Sequence, residues 1–255
     1  MKLVIVTQDD IFYLPLFFKH FFEQLNQKDY HVEMVVILSA FNENCFALAK
    51  RMYNFYGFHG FLREGFRYAT RKILGNLYLY DNSIQSLAEK HGIKVEKINN
   101  VNNPSFIHLF KSKKPDVILS VAASQIFGKN LLSIPKWGCI NVHCAKLPKY
   151  RGMMPNFWAM YRGESKTGIT IHTIDEEIDK GKIIVQEEID ILPDETWDSL
   201  IKRSKVASAC LVIEALAMIK DGSVRLKNYE GESFYFSFPS KKDIKRFRER
   251  GYRLL

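Results

Sequence analysis

Asn141 and His143 close one short apolar run, Gly138-Cys139-Ile140-Asn141-Val142-His143. Asp175 and Asp179 follow another, Gly168-Ile169-Thr170-Ile171-His172, and Ser124 and Gln125 follow a third that ends at Val121. An amide, an imidazole and a carboxylate gathered in one cleft suit acyl transfer to an amine. The amide donates to a developing oxyanion. The imidazole carries protons near neutral pH, and the carboxylate fixes its charge state. Spacing alone carries this weakly, because a histidine at a strand end is more often a satisfied core residue than a catalyst. Cys144 beside His143 raises a thiol nucleophile. Cys139, His143, Cys144 and His172 raise a zinc site, but they lack paired ligand spacing, and no metal is expected.

The elements that must position these groups alternate along the chain. Strands are expected over 2–7, 32–38, 93–98, 117–121, 138–143, 168–172 and 183–191. Helices are expected over 12–27, 41–55, 84–90, 104–111 and 196–220, with a short one closing at 131–135. Alternating strand and helix predicts an α/β fold, a Rossmann-like, mostly parallel sheet with helices on both faces. Ligands bind such sheets at the carboxyl ends of the strands, where the polar clusters fall. We expect a main domain over 1–221 and a C-terminal appendage over 222–255. In that appendage a strand over 234–239 precedes a helix capped by Ser240. Residues 53–80 are rich in aromatics broken by Gly57, Gly60 and Gly65. A flap, a partner surface and a helical insert all fit; burial in a core is favoured, because aromatic side chains usually bury their large area.

The 255 residues are 47% hydrophobic and 25% charged, which excludes wholesale disorder and permits a core without disulfide staples. No apolar run is long enough to cross a bilayer, and none at the start reads as a signal peptide. Four cysteines without paired spacing then suggest reduced thiols and a cytoplasmic location. The net charge is +9, and residues 222–255 hold nine Lys or Arg against four acids. An anionic partner or a solvated basic face both fit.

The literal residues from Lys114-Pro115-Asp116 to Gln186 add more. Gly138 to His143 is followed by Leu147-Pro148-Lys149-Tyr150-Arg151-Gly152, then Pro155, Trp158-Ala159 and Gly163-Glu164. Thr167 to His172 and Asp175-Glu176-Glu177-Ile178-Asp179-Lys180-Gly181-Lys182-Ile183-Ile184 complete the series. In this order the motifs resemble the folate-dependent formyltransferase family. That family includes glycinamide ribonucleotide, methionyl-tRNA and sugar N-formyltransferases. The resemblance implies Asn141, His143 and Asp179 as catalytic residues and N10-formyltetrahydrofolate as the formyl donor. It implies donor contacts at Ser124, Gln125, Ile126 and Phe127, and at Ile174, Asp175, Glu176, Glu177 and Ile178. Cys144-Ala145-Lys146 departs from the family pattern, which commonly has a small residue or proline, then serine, then leucine after its histidine. Lys146, Tyr150 and Arg151 are candidates for the acceptor side, with a solvent-facing lysine as the equal alternative for Lys146.

The acceptor follows less directly. Residues 222–255 are too few for the barrel-like domain with which methionyl-tRNA formyltransferases help hold tRNA. The length and basic periphery fit a sugar N-formyltransferase acting on a nucleotide-linked amino sugar, with the appendage serving homodimer contacts. Methionyl-tRNA is the alternative acceptor, and a catalytically inactive RNA-binding module is a further alternative.

Overall fold

The computed structural model describes residues 1–39, 44–76 and 83–255. The chain begins with β1 (Lys2–Gln8), α1 (Leu14–Gln24), β2 (His31–Leu38) and α2 (Cys45–Asn76). There follow α3 (Ile84–Lys90), β3 (Val95–Ile98), α4 (Pro104–Lys113), β4 (Val117–Val121), α5 (Lys129–Leu132) and β5 (Gly138–His143). The rest is β6 (Arg151–Gly152), α6 (Pro155–Tyr161), β7 (Lys166–Thr173), β8 (Ile183–Asp190), α7 (Trp197–Asp221), β9 (Tyr235–Phe236) and α8 (Lys241–Glu249). Among the described residues seven strands form one sheet in the order β3-β2-β1-β4-β5-β7-β8. The first five are parallel, and β7 and β8 add antiparallel edges. The expected α/β fold with a mostly parallel sheet is therefore present.

Burial on both faces explains why β1 and β4 read as continuous apolar runs. Successive side chains on a strand point to opposite faces. Leu3 and Ile5 of β1 join α1 and α7 in one apolar cluster, while Val4 and Val6 join α4 and α5 in another. Helix α1 presses Phe17, Phe18, Phe21 and Phe22 against the first face. It starts at Leu14 rather than the expected residue 12, because Asp10 Oδ1 accepts the N–H groups of Phe12 and Tyr13 at 2.7 and 2.8 Å in a turn. Helix α7 has the expected ends: Thr196 accepts from the Ser199 N–H, and Gly222 closes it at φ 75° in the left-handed region.

The aromatic segment departs from the core reading. Helix α2 runs through it, interrupted at Gly57, whose φ of 72° breaks the helical path. Phe55 is 1% exposed, but Phe58 is 57% and Phe66 is 71% exposed. Position relative to the cluster of α6, α7 and α8, not aromatic content, decides burial here. Residues 41–43 of the expected helix, and Tyr78 and Tyr80, lie outside the described residues.

The C-terminal segment folds back on the domain. Strand β9 pairs in parallel with β6, and Ile244, Phe247 and Leu254 share a third apolar cluster with Phe55, Phe157, Trp158 and Trp197. Ser240 and Asp243 form the reciprocal cap that starts α8. The paired strand is shorter than the expected 234–239, because β6 offers only Arg151 and Gly152 as partners. Among the described residues no helix is long and apolar enough to cross a membrane.

Candidate active site

Strand alternation and register bring the polar groups together. In β5, Asn141 and His143 are two residues apart and lie on one face. Antiparallel β7 pairs with β5 so that His172 stands opposite Asn141. The chain leaving β7 then reaches Asp179, which takes a left-handed φ of 51°, and returns at Gly181. A Cβ at Gly181 would lie 1.5 Å from the Thr173 carbonyl oxygen, so only glycine allows this close return.

The carboxylate of Asp179 lies between two imidazoles. Its Oδ2 is 3.6 Å from His143 Nδ1, and its Oδ1 is 3.7 Å from His172 Nε2. The Gly152 N–H donates to Oδ2 at 2.8 Å. The Arg151 guanidinium donates to the Ile178 carbonyl through Nε at 3.1 Å and through one terminal nitrogen at 2.7 Å. Strand β6 thus clamps the loop that carries Asp179. Gly152 has φ 91°, and a Cβ there would lie 2.3 Å from the Phe236 carbonyl oxygen, so β9 packs where a side chain would stand.

Hydrogen-bond partners assign the ring protons. The Tyr150 carbonyl can only accept, so His143 Nε2–H donates to it at 2.6 Å. In the neutral ring His143 Nδ1 is then the free base, facing Asp179. The Thr173 carbonyl likewise requires a proton on His172 Nδ1, at 2.9 Å. This leaves His172 Nε2 to accept from the Asn141 amide at 3.2 Å. Burial holds the His172 imidazole down at about 4, against the opposing pull of Asp179. A neutral His172 fixes the Asn141 amide, whose second N–H has no partner among the described residues. The geometry offers a fixed amide donor, a nearly buried proton carrier and a carboxylate in contact with it.

The loop positions divide by what their side chains do. Ser124 Oγ is buried without a hydrogen-bond partner among the described residues, an unmet donor and acceptor at the end of β4. The Gln125 side chain is occupied, accepting from the Val101 N–H at 2.8 Å and donating to the Asn99 carbonyl at 2.6 Å. Phe127 is 3% exposed and belongs to the core, whereas Ile126 and Ile178 are 58% and 41% exposed. Ile174 packs on the same cluster as Phe127, and the Lys129–Glu176 ion pair at 3.1 Å joins the two loops. Asp175 accepts from the Glu176 N–H within the loop, and Glu177 pairs with Lys180.

Of the acceptor-side candidates, Lys146 is not brought to His143. It pairs with Glu188 on the exposed edge strand β8. The Tyr150 phenol turns away and donates to Glu164 at 2.7 Å; only its carbonyl meets His143. Arg151 acts on the loop backbone. Cys139 is buried, which pushes its thiol up to about 12, and Cys144 lies near Ser208 and Lys205. Sequence reasoning placed His172 only in a disfavoured zinc set and gave it no part in formyl transfer. The register of β7 against β5 was the missing signal.

The fold has known counterparts. Residues 10–216 match the family model described as formyl transferase, and the chain belongs to that family. A methionyl-tRNA formyltransferase of Thermotoga maritima is 35% identical over 162 residues, covering 63% of this chain and 52% of that protein. The chain thus spans about half the length of the curated relatives it matches. A sugar N-formyltransferase structure from a Shewanella species aligns with a TM-score of 0.60 at 20% identity, covering 92% of this chain and 76% of that one. A formyltransferase structure from Anoxybacillus kamchatkensis aligns with a TM-score of 0.50 at 25% identity, covering 60% and 79%. That structure holds tetrahydrofolate and UDP-4,6-dideoxy-4-formamido-L-AltNAc.

Proposed function

We propose that this protein moves a formyl group from N10-formyltetrahydrofolate to the primary amine of a nucleotide-linked amino sugar. The observation that carries formyl transfer is the contact of Asp179 with both His143 and His172, with Asn141 fixed by the latter. The two loops fit the donor. They offer an unpartnered buried hydroxyl at Ser124 and two exposed isoleucines, and an ion pair links them. Bound there, the donor supplies an activated formyl carbon on N10.

The protein's own groups then have distinct tasks. The free N–H of Asn141 and a protonated His143 stabilise negative charge developing on the formyl oxygen as the amine nitrogen attacks. A fixed donor of this kind is worth about 2.7–4 kcal/mol in other enzymes. Asp179 takes the proton lost by the amine, directly or through water, and returns it to the departing nitrogen. The new C–N bond forms as the carbonyl π bond opens onto oxygen; the oxyanion then collapses, the old C–N bond breaks, and the proton count balances.

Support for the sugar is the Anoxybacillus structure with its nucleotide-linked formamido sugar. Methionyl-tRNA is a second reading, favoured by the 35% identity to the Thermotoga relative and by the basic C-terminal segment. The test is incubation with N10-formyltetrahydrofolate and either a nucleotide-linked amino sugar or methionyl-tRNA, following release of tetrahydrofolate. The Asn141→Ala variant is expected to lower kcat by about 10²–10³-fold while the donor KM holds. An effect confined to KM would remove Asn141 from the transition state. RNA binding with a steep salt dependence and no turnover would instead indicate a binding module.

A further inference from the structure

Beyond α7, residues 223–234 run between two anchors that flank the Asp179 loop. At one end Lys227 and Ile183 exchange both backbone hydrogen bonds at 2.9 Å, at the start of β8. At the other, the Arg151 N–H donates to the Phe234 carbonyl at 3.0 Å, and the Arg151 guanidinium reaches Ser233 Oγ at 3.4 Å. Ile183 and Arg151 both border the loop that carries Asp179. Tyr229 lies on the stretch between the anchors. Its phenol oxygen is shielded from solvent and has no hydrogen-bond partner among the described residues. Burial first, and then the charge of Asp179, push its pKa up, while Arg151 pulls it the other way. The hydroxyl is therefore a neutral donor within electrostatic reach of that carboxylate.

An unmade hydrogen bond on a buried hydroxyl destabilises the free protein, so a retained one needs a compensating use. The sheet order says on which side that use falls. Strands β5 and β7 carry Asn141, His143 and His172 at the centre. The loop with Ser124 and Ile126 approaches from β4 on one flank, and the anchor at Lys227 sits on β8 on the other. The segment that carries Tyr229 thus leaves the sheet from the flank opposite the β4 loop.

We propose that Tyr229 is an acceptor-binding residue, its hydroxyl donating a hydrogen bond to a polar atom beside the amine that receives the formyl group. This rests on the transfer reaction proposed above. The acceptor is recognised by its chemistry, an amine with a neighbouring hydroxyl or carbonyl oxygen as in an amino sugar. The segment after α7 then completes the site.

The test is Tyr229→Phe, which keeps the ring and removes one oxygen. Without ligand the variant is expected to melt at the same or a higher temperature than the wild type, because an unsatisfied group is gone. With a nucleotide-linked amino sugar and N10-formyltetrahydrofolate, the KM for the sugar is expected to rise about 3- to 10-fold, the loss of one neutral hydrogen bond. The donor KM and the pH profile of kcat stay as in the wild type. A lower melting temperature without ligand would show a structural partner for the hydroxyl and overturn the assignment. So would an unchanged acceptor KM, or a shifted pH profile, which would make the hydroxyl a partner of Asp179 instead. A wild-type protein that turns over no amine would sink the transfer reaction and Tyr229's role with it. Turnover with an unaltered acceptor KM in the variant would sink only the latter.

Discussion

The β5–β7 pair buries polar side chains, and the second half of α2 exposes apolar ones. His143 and His172 are 6% and 2% exposed, while Phe58 and Phe66 are more than half exposed. Both regions invert the usual inside-out rule, which is where structure is most informative. The first inversion is fully supported locally. Each buried ring has a carbonyl or amide partner, the Gly152 N–H holds Asp179, and the Arg151 guanidinium holds the neighbouring Ile178 carbonyl. The second is anchored from the other side of the helix. Glu64 is buried and accepts from Arg67 at 2.8 Å, Arg71 donates to the Ile11 carbonyl at 2.6 Å, and Phe55 sits in the third apolar cluster. A buried polar group that is well held can do chemistry. An exposed apolar stripe on a helix held by polar contacts is a surface.

The comparison breaks first at Asp179. Asp179→Asn keeps the shape but removes the charge and the proton acceptor, so kcat is expected to fall by about 10²–10⁴-fold with the fold intact. Steady-state kinetics together with a melting curve decide it; a variant at near wild-type rate would strip the buried cluster of function. Next comes Phe55→Ala, which should cost about 3–5 kcal/mol in urea unfolding because it empties the centre of the third cluster. In contrast, Phe66→Ser should stay within about 0.5 kcal/mol. A comparable cost at both positions would mean that the stripe is covered.

The smallest effect sharpens the account of His172. Its folded value is held at about 4, below the ordinary 6.5. Between those values the unfolded chain binds more protons than the folded one, so stability falls as pH drops through that window. His172→Gln retains an acceptor for Asn141 and removes the titration. Urea melts at pH 7 and pH 5 should therefore differ less in the variant than in the wild type. An equal loss in both would assign the acid sensitivity elsewhere.

Much of this could be read along the chain. The continuous apolar run of Val117 to Val121 announced a strand covered on both faces, because parallel central strands leave no side for water. Thr196 and Gly222 bounded α7, since a hydroxyl cap and a left-handed glycine act locally. Asn141, His143 and Asp179 stood out by motif, and the structure brings their side chains together. Other features were not local. Strand β6 is two residues long and exists only because β9 returns to pair with it. The turn of Lys146 toward Glu188 depends on the antiparallel edge.

The sequence by itself determined the order of the sheet's strands and of most helices, though not β6 or α6, together with helix caps and the residue types available for proton transfer, because propensity, capping and alternation act over a few residues. Only the tertiary structure decided that His172 stands opposite Asn141, that the phenol of Tyr150 turns to Glu164, and that Phe58 and Phe66 of α2 lie exposed while Phe55 is buried. Those outcomes depend on register between strands and on where the C-terminal segment folds back. Both are set by contacts between residues far apart in the chain, which no local pattern records.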